Sequence, residues 1–200
     1  MAGLTVAYPL GDSLYLNITN RCTNDCLFCI RRTREGIGAY DLWLDREPDL
    51  TEVLAQAADA GKYREVVFCG YGEPLVRADL LLEAARELKK KGARVRINTN
   101  GHAGLIHGRN VAAEFGGLVD AVSVSLNASD AASYNKLCRP QYGIEAFKAV
   151  LEFARQCIRH VPQVTLTAVE WPGVDVEGCR GIARAMGAGF RVRRYSGPKA

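Results

Sequence analysis

The sequence lacks several features that would assign it to a special class of protein. No apolar run approaches the roughly 20 residues that span a bilayer, and there is no low-complexity segment or long block of like charge. Residues 1–5 have no basic start, and the apolar stretch there is too short for a signal peptide. We therefore expect a cytoplasmic protein that does not insert into membranes.

The composition indicates one ordinary domain over residues 1–200, with no auxiliary domain. Hydrophobic residues make up 48% of the chain and charged residues 24%, which is enough for a buried core and a soluble surface. The net charge of +4 permits an anionic ligand. No basic helix or aromatic–basic strand stands out, so nucleic-acid binding is not expected.

Short β-rich runs alternate with amphipathic helical runs along the whole chain. The clearest helices carry apolar residues at 81/84/85/88 and at 147/150/151/154/158, a spacing that gives one buried face. Alternation of this kind predicts parallel strands joined by right-handed crossovers. The predicted strands are 13–19, 65–70, 94–98, 120–126, 163–169 and 190–195.

The predicted strands are apolar on one side only. Val122 and Val124, for example, alternate with Ser123 and Ser125. A doubly wound sheet is covered on both faces and reads as continuous apolar runs. One polar side instead indicates an inner face that lines a wet chamber. We therefore predict an α/β fold, a partial (β/α)6 barrel of parallel strands with outer helices.

Three of the seven cysteines, Cys22, Cys26 and Cys29, lie directly after the first predicted strand. In a reducing compartment such a group favours metal binding over disulfides. Three thiolates can hold three irons of an iron–sulfur cluster and leave the fourth iron open for a ligand. Structural zinc and unrelated thiols are the alternatives, although no fourth Cys or His follows at close range.

Further motifs follow the later predicted strands. They are GYGEP at 70–74, NTNG at 98–101, SLN at 125–127 and RP at 139–140. Together with the cysteine spacing CxxxCxFC, these segments resemble the radical S-adenosylmethionine (SAM) superfamily. More narrowly, the run 17–40 and the segments FCGYGEP, INTNG, LIHGRN and LCRP are similar to radical SAM proteins associated with TatD-type metal-dependent hydrolases.

The resemblance implies reductive cleavage of SAM at a [4Fe-4S] cluster, which yields a 5′-deoxyadenosyl radical that abstracts hydrogen from an unidentified substrate. Cys22, Cys26 and Cys29 would be the ligands, and Glu73 would accept from the methionyl ammonium. Tyr71 replaces the glycine usual in the family's GGEP turn. The implied SAM contacts are Phe28, Gly70, Tyr71, Gly72, Glu73, Pro74, Asn98, Asn100, Ser125, Asn127, Arg139 and Val169.

Other side chains have two interpretations each. Cys138 faces the chamber as a hydrogen donor or is a small buried hydrophobe. His102 and His107 are acid–base groups or surface and capping residues. Basic side chains frame an anionic substrate or form a solvated rim; they are Arg31, Arg32, Arg34, Arg109, Arg191, Arg193 and Arg194. We expect core positions for Cys69, Cys157 and Cys179.

Among enzymes, the sequence is compatible with two alternative functions, a glycyl-radical-type activase of a protein partner and a heterocycle-forming synthase. A different class is a non-catalytic zinc or iron–sulfur scaffold, which would bind metal without cleaving SAM. The enzyme interpretation requires a one-electron donor such as flavodoxin or ferredoxin, and the TatD association suggests a functional link to a TatD-type hydrolase.

Overall fold

The computed structural model describes residues 4–32 and 37–195, and its seven strands form one sheet. The strands lie in chain order; β1 is antiparallel to β2, and all later neighbours are parallel. They are β1 (Ala7–Leu10), β2 (Ser13–Leu16), β3 (Glu65–Phe68), β4 (Val95–Thr99), β5 (Ala121–Ser125), β6 (Gln163–Val169) and β7 (Gly189–Arg193).

In the part of the chain that the structure describes, six α-helices accompany the strands, and short 3-10 turns connect several of them. The two longest helices are the ones that the apolar spacing predicts. Gly92 directly follows the lysine-rich end of the first of these, with a φ of 76° that favours glycine. The helices are α1 (Leu50–Gln56), α2 (Ala78–Lys90), α3 (Ala103–His107), α4 (Ala131–Cys138), α5 (Glu145–His160) and α6 (Val176–Met186).

The strand order confirms the predicted partial barrel. Right-handed crossovers that always step in the same direction leave every helix on one face of the sheet. In the described ranges β1 and β7 do not pair, so the barrel is open. A doubly wound sheet would reverse its strand order instead.

The two faces of the sheet differ in polarity, as the alternation predicts. Outward side chains such as Leu16, Ile97 and Val124 are fully buried against the helices in the main core. The inward positions are largely polar, and Arg96 and Ser125 among them are partly accessible. The inner face is therefore available to line a site.

Strand β1 is the element that the sequence prediction missed. It is four residues long, contains Pro9 and turns into β2 at Gly11, which has a φ of 61°. Proline is tolerated there because β1 is an edge strand. Tyr8 from this strand is buried, and its hydroxyl donates to the carbonyl of Cys69 at 3.1 Å, so β1 supports the loop after β3.

Within the described ranges, no helix is both long and apolar enough to cross a bilayer.

Candidate functional site

A cavity of about 280 Å³ opens at the carboxyl ends of the parallel strands. Cys22, Cys26 and Cys29 all line it, and each is partly buried. The loops after several strands therefore meet at the three thiols, as expected for parallel strands. Ten of the twelve predicted SAM contacts line the same cavity, namely Phe28, Gly70, Tyr71, Gly72, Glu73, Asn98, Asn100, Ser125, Asn127 and Val169.

The cysteine loop is attached to the end of α4 by backbone hydrogen bonds. The amides of Asp25 and Leu27 donate to the carbonyls of Cys138 and Leu137 at 3.0 and 2.9 Å. Arg139 ends the helix in the left-handed conformation, with a φ of 44°. This pairing holds the loop without using the thiols.

Two predicted SAM contacts lie outside the cavity. The side chain of Arg139 is exposed, because its left-handed backbone ends the helix at the surface. Pro74 is buried at the start of a 3-10 turn, where its fixed φ suits the first position. Both residues shape loops beside the site without lining the cavity, and their contact with the cofactor stays a prediction.

A buried hydrogen-bond network holds the side chains of Thr23 and Asn24 in the cysteine loop. His102 is fully buried, with Nδ1 2.9 Å from Oγ1 of Thr23 and Nε2 3.1 Å from the hydroxyl of Tyr134. Asn24 donates to the same tyrosine hydroxyl at 3.1 Å. His102 is thus neither a surface residue nor a group at the cavity wall. The sequence contained no signal for this role, because its partners are 79 and 32 residues away.

His107 has a similar supporting position. Its Nε2 lies 2.7 Å from the carbonyl of Leu75, which belongs to the turn that follows Glu73. It does not line the cavity. We assign it a structural role in holding this turn.

The turn after β3 packs tightly on the exit of β2, and its glycines are required there. A Cβ on Gly72 would lie 2.3 Å from the carbonyl oxygen of Thr19, and one on Gly70 would lie 2.0 Å from Oδ1 of Asn17. Tyr71 between them is buried and lines the cavity, with its ring 6.4 Å from that of Trp43. The family's usual glycine is therefore replaced by a side chain that forms part of the wall.

Glu73 joins three loops. Its amide donates to the carbonyl of Arg21 in the cysteine loop at 2.8 Å. Its Oε1 accepts from the amide of Leu75 and the hydroxyl of Thr99, and its Oε2 accepts from the amide of Asn100 at 2.6 Å. Burial raises the pKa of Glu73 to about 7, while these donors oppose the shift.

Asn100 extends this arrangement to the thiols. Its Nδ2 donates to Oγ1 of Thr23 at 2.9 Å and lies 3.8 Å from Sγ of Cys22. Asn98, two residues earlier on β4, accepts from Arg96 at 3.0 Å and also lines the cavity. The NTNG segment thus connects the cysteine loop to the inner face of the sheet.

Arg193 on β7 is the strongest addition to the predicted site. Its Nη2 lies 3.3 Å from Oγ of Ser125 and 3.5 Å from Oδ1 of Asn127. Its Nε is buried and has no hydrogen-bond partner in the described ranges. Burial lowers the pKa of Arg193. A cation with a spare buried donor beside two polar side chains is suited to a carboxylate ligand.

Aromatic side chains form another part of the site. The rings of Phe28 and Trp171 are 6.0 Å apart, and those of Trp171 and Tyr195 are 4.7 Å apart. Phe28 and Tyr195 line the cavity, as does Val169 at the end of β6. This apolar wall stands beside the polar groups of β5 and β7, an arrangement typical of small-molecule sites.

The remaining cysteines divide into two groups. Cys157 and Cys179 are buried in the core, as predicted. Cys69 lines the cavity, so its predicted core position is wrong: it follows β3 with inward parity. Cys138 is fully buried and lies close to Cys26. The hydrogen bond between the two thiols is the larger cause that raises the pKa of Cys26, and burial is the second.

Arg31 and Arg32 stabilise the cysteine loop. Arg31 donates to the carbonyl of Asn20 at 3.1 Å and to Sγ of Cys29 at 3.4 Å. Arg32 donates to the carbonyl of Cys26 at 3.0 Å. Arg32 is exposed and also pairs with Asp25, and Arg109 is exposed and pairs with Asp79 and Glu114, so both fit the solvated-rim interpretation. Arg31 is partly buried against the loop, and Arg34 lies outside the described residues.

The thiols have the properties of ligands to a multinuclear cluster. Burial, with a smaller effect of Glu73, raises the pKa of Cys22 to about 12, and a bound metal ion would favour its thiolate. In the part of the chain that the structure describes, no three His, Cys, Asp or Glu groups converge on one metal ion. An iron–sulfur cluster fits three thiols that line one cavity, because each cysteine would bind a different iron.

The network around His102 predicts a pH-dependent stability. Burial lowers the pKa of His102 to about 4, against 6.5 when unfolded. Between these values only the unfolded chain gains a proton, so stability is lost as the pH falls from 6.5 to 4, by at most about 3 kcal/mol. We expect His102→Gln to lower the urea midpoint at pH 7.5 and to reduce the difference between pH 7.5 and 5.

His160→Gln, at the outer end of α5, is the matched control and should keep the wild-type difference. An unchanged pH dependence in His102→Gln would contradict the assignment.

Comparisons with known proteins agree with this geometry. The sequence profile of the Radical SAM superfamily matches residues 16–186. A probable GTP 3′,8-cyclase of Methanothermobacter marburgensis is 32% identical over 143 residues, which are 71% of this chain and 43% of that protein. The tungsten-containing aldehyde ferredoxin oxidoreductase cofactor-modifying protein of Pyrococcus furiosus is 35% identical over 91 residues, 44% of this chain and 23% of that protein. The chain thus spans less than half the length of these relatives.

Solved structures share the fold. Streptococcus suis SuiB bound to S-adenosylmethionine has a TM-score of 0.65 at 17% identity, covering 91% of this chain and 38% of that one. Methylornithine synthase (PylB) has a TM-score of 0.62 at 18% identity, covering 92% and 53%. Because the Radical SAM profile matches most of the sequence, this chain belongs to the radical SAM superfamily.

Proposed function

We propose that this protein is an enzyme that binds S-adenosylmethionine beside a [4Fe-4S] cluster and cleaves it reductively to act on a substrate. The observation that carries the proposal is the shared cavity: three cysteines, a buried glutamate turn and the polar ends of β4, β5 and β7 line one space. When bound, the cluster supplies one electron and SAM supplies the 5′-deoxyadenosyl radical that removes a hydrogen atom.

In this proposal Cys22, Cys26 and Cys29 hold three irons, and the fourth iron stays open for SAM. The end of α4 holds the backbone of the cysteine loop, and the network around His102 holds the side chains of Thr23 and Asn24. Arg31 donates to Sγ of Cys29. Preorganised ligands of this kind orient a metal group without rearrangement on binding.

The methionyl group of SAM has two candidate partners. Glu73 Oε2 accepts one hydrogen bond from the protein, so it retains capacity for the ammonium. Arg193, with its unpaired Nε, is the candidate for the carboxylate, together with Ser125 and Asn127. The negative charge of Glu73 and the positive charge of Arg193 thus complement the ammonium and the carboxylate of the methionyl group.

The adenosyl group would occupy the remaining wall. Phe28 and Val169 supply apolar surface for the adenine. Asn98 and Asn100 supply amide groups for the ribose hydroxyls and are held by Arg96 and Thr23.

The finer assignments are also proposals. The cysteine-loop run, FCGYGEP and LCRP support membership of the TatD-associated group, with a TatD-type hydrolase as a functional partner. We further propose one catalytic core domain, a cytoplasmic location and a flavodoxin or ferredoxin as electron donor. Similarity to a probable GTP 3′,8-cyclase favours a small-molecule substrate over a protein partner.

Loss of one ligand should abolish the reaction. Cys26→Ala removes a cluster thiolate, so 5′-deoxyadenosine formation with dithionite and SAM is expected to fall at least about 100-fold. Chromatography of anaerobic reactions measures the product. Cys179→Ala, in the core of α6, is the control and should retain activity. Turnover by Cys26→Ala at the control rate would rule out the assigned ligand.

Arg193 should contribute to SAM affinity. Arg193→Gln keeps an amide but removes the charge, and loss of a charge-assisted hydrogen bond is expected to raise the Kd for SAM about tenfold or more. Equilibrium dialysis of the cluster-loaded protein measures it. Arg155→Gln, exposed on α5, should bind like the wild type. Equal Kd values for Arg193→Gln and the wild type would contradict the carboxylate assignment.

A further inference from the structure

A second polar cavity, of about 220 Å³, lies at the opposite end of the inner face, where the strands begin. Its walls come from the first residues of β3, β5 and β6 and from the middle of β4 and β7. Neither the cysteine loop nor the predicted SAM contacts reach it. Its lining side chains are Arg64, Glu65, Arg94, Arg96, Ala121, Val122, Ser123, Gln163, Thr165 and Arg191.

Positive charge exceeds negative charge in this cavity, because four arginines face one glutamate. Glu65 is already bound by Arg96 at 2.9 Å, with Arg94 at 3.9 Å. Arg64 pairs with Asp12 at the rim. Arg191 makes no ion pair with any residue that the structure describes. Arg64, Arg94 and Arg191 are exposed at the rim and Arg96 is partly buried, so water screens their mutual repulsion only in part, and the excess positive charge would attract an anion to this cavity.

The lower cavity is aligned with the cysteine cavity. On three strands, a residue that lines one cavity is followed two positions later by a residue that lines the other, a rise of about 7 Å on the same face. These residue pairs are Arg96 and Asn98 on β4, Ser123 and Ser125 on β5, and Arg191 and Arg193 on β7. The two cavities are thus parts of one inner surface of the sheet.

We propose that Arg191 and Arg96 bind an oxyanion group of the substrate, a phosphate or a carboxylate, while its reacting carbon lies in the cysteine cavity. This inference rests on the proposed function, since it assigns the substrate to the same barrel. The guanidinium fork suits both anions because it donates two parallel hydrogen bonds. Arg96 already donates to Glu65, Asn98 and Tyr15, so it contributes mainly positive charge. Arg191 is exposed and donates to no side chain among residues 4–32 and 37–195, so it is the main hydrogen-bond donor to the ligand.

Arg191→Gln tests the inference without removing a partner from any described ion pair. The probes are inorganic phosphate, pyrophosphate and succinate, added to the cluster-loaded protein at constant ionic strength, with binding measured by calorimetry. We expect at least one probe to bind the wild type about tenfold more tightly than the variant. Tighter pyrophosphate or phosphate binding assigns a phosphate, and tighter succinate binding assigns a carboxylate.

Arg184→Gln, an exposed arginine on α6, changes the net charge equally and should bind the probes like the wild type. Equal binding by the wild type and Arg191→Gln, or equal losses in both variants, would overturn the inference. A purely structural role predicts lower stability of Arg191→Gln without any anion, whereas relief of repulsion predicts unchanged or higher stability.

SAM binding, measured on the same samples, separates the two proposals. If the wild type binds SAM and shows no difference from Arg191→Gln toward the probes, only the anion inference fails. If it binds no SAM but loses anion affinity in Arg191→Gln, the proposed function fails while the anion site stands.

Discussion

The geometry of the cavity depends on the hydrogen bonds that the buried carboxylate of Glu73 accepts. It accepts hydrogen bonds from its own turn and from the turn after β4, while its backbone amide donates to the cysteine loop. A buried carboxylate that loses these donors is strongly destabilised. The three loops are therefore fixed relative to one another. The glycines at 70 and 72 permit this because no side chain separates the turn from the exit of β2.

A second set of interactions fixes the cysteine loop from the other side. The end of α4 pairs with its backbone, and His102 holds Thr23 through a network that includes Tyr134. These contacts use backbone and neutral polar groups, so the thiols remain directed to the cavity. Functional sites supported in this way lose little conformational entropy when a ligand binds. The inner face then continues from the thiols to the arginines at the start of the strands.

Local patterns in the sequence predict much of this arrangement, and long-range partners account for the rest. Alternating polarity identifies the inner face, and the cysteine spacing and strand-end motifs identify most cavity residues. Strand β1 was missed because four residues with a proline give little periodicity. The role of His102 depends on partners far away in the chain. The sequence does not decide the role of Arg193, which β7 places beside Ser125, and it gives no sign that Arg139 ends a helix with an exposed side chain.

The central claim is that three cysteines hold a cluster with one open iron that binds S-adenosylmethionine. Electron paramagnetic resonance of the anaerobically reconstituted, dithionite-reduced protein tests it most directly, with spectra recorded before and after addition of SAM. The account predicts a reduced [4Fe-4S] signal whose g values change when SAM is added, because the ligand binds the cluster itself. A cluster signal unaffected by saturating SAM, or no iron–sulfur signal at all, would contradict it.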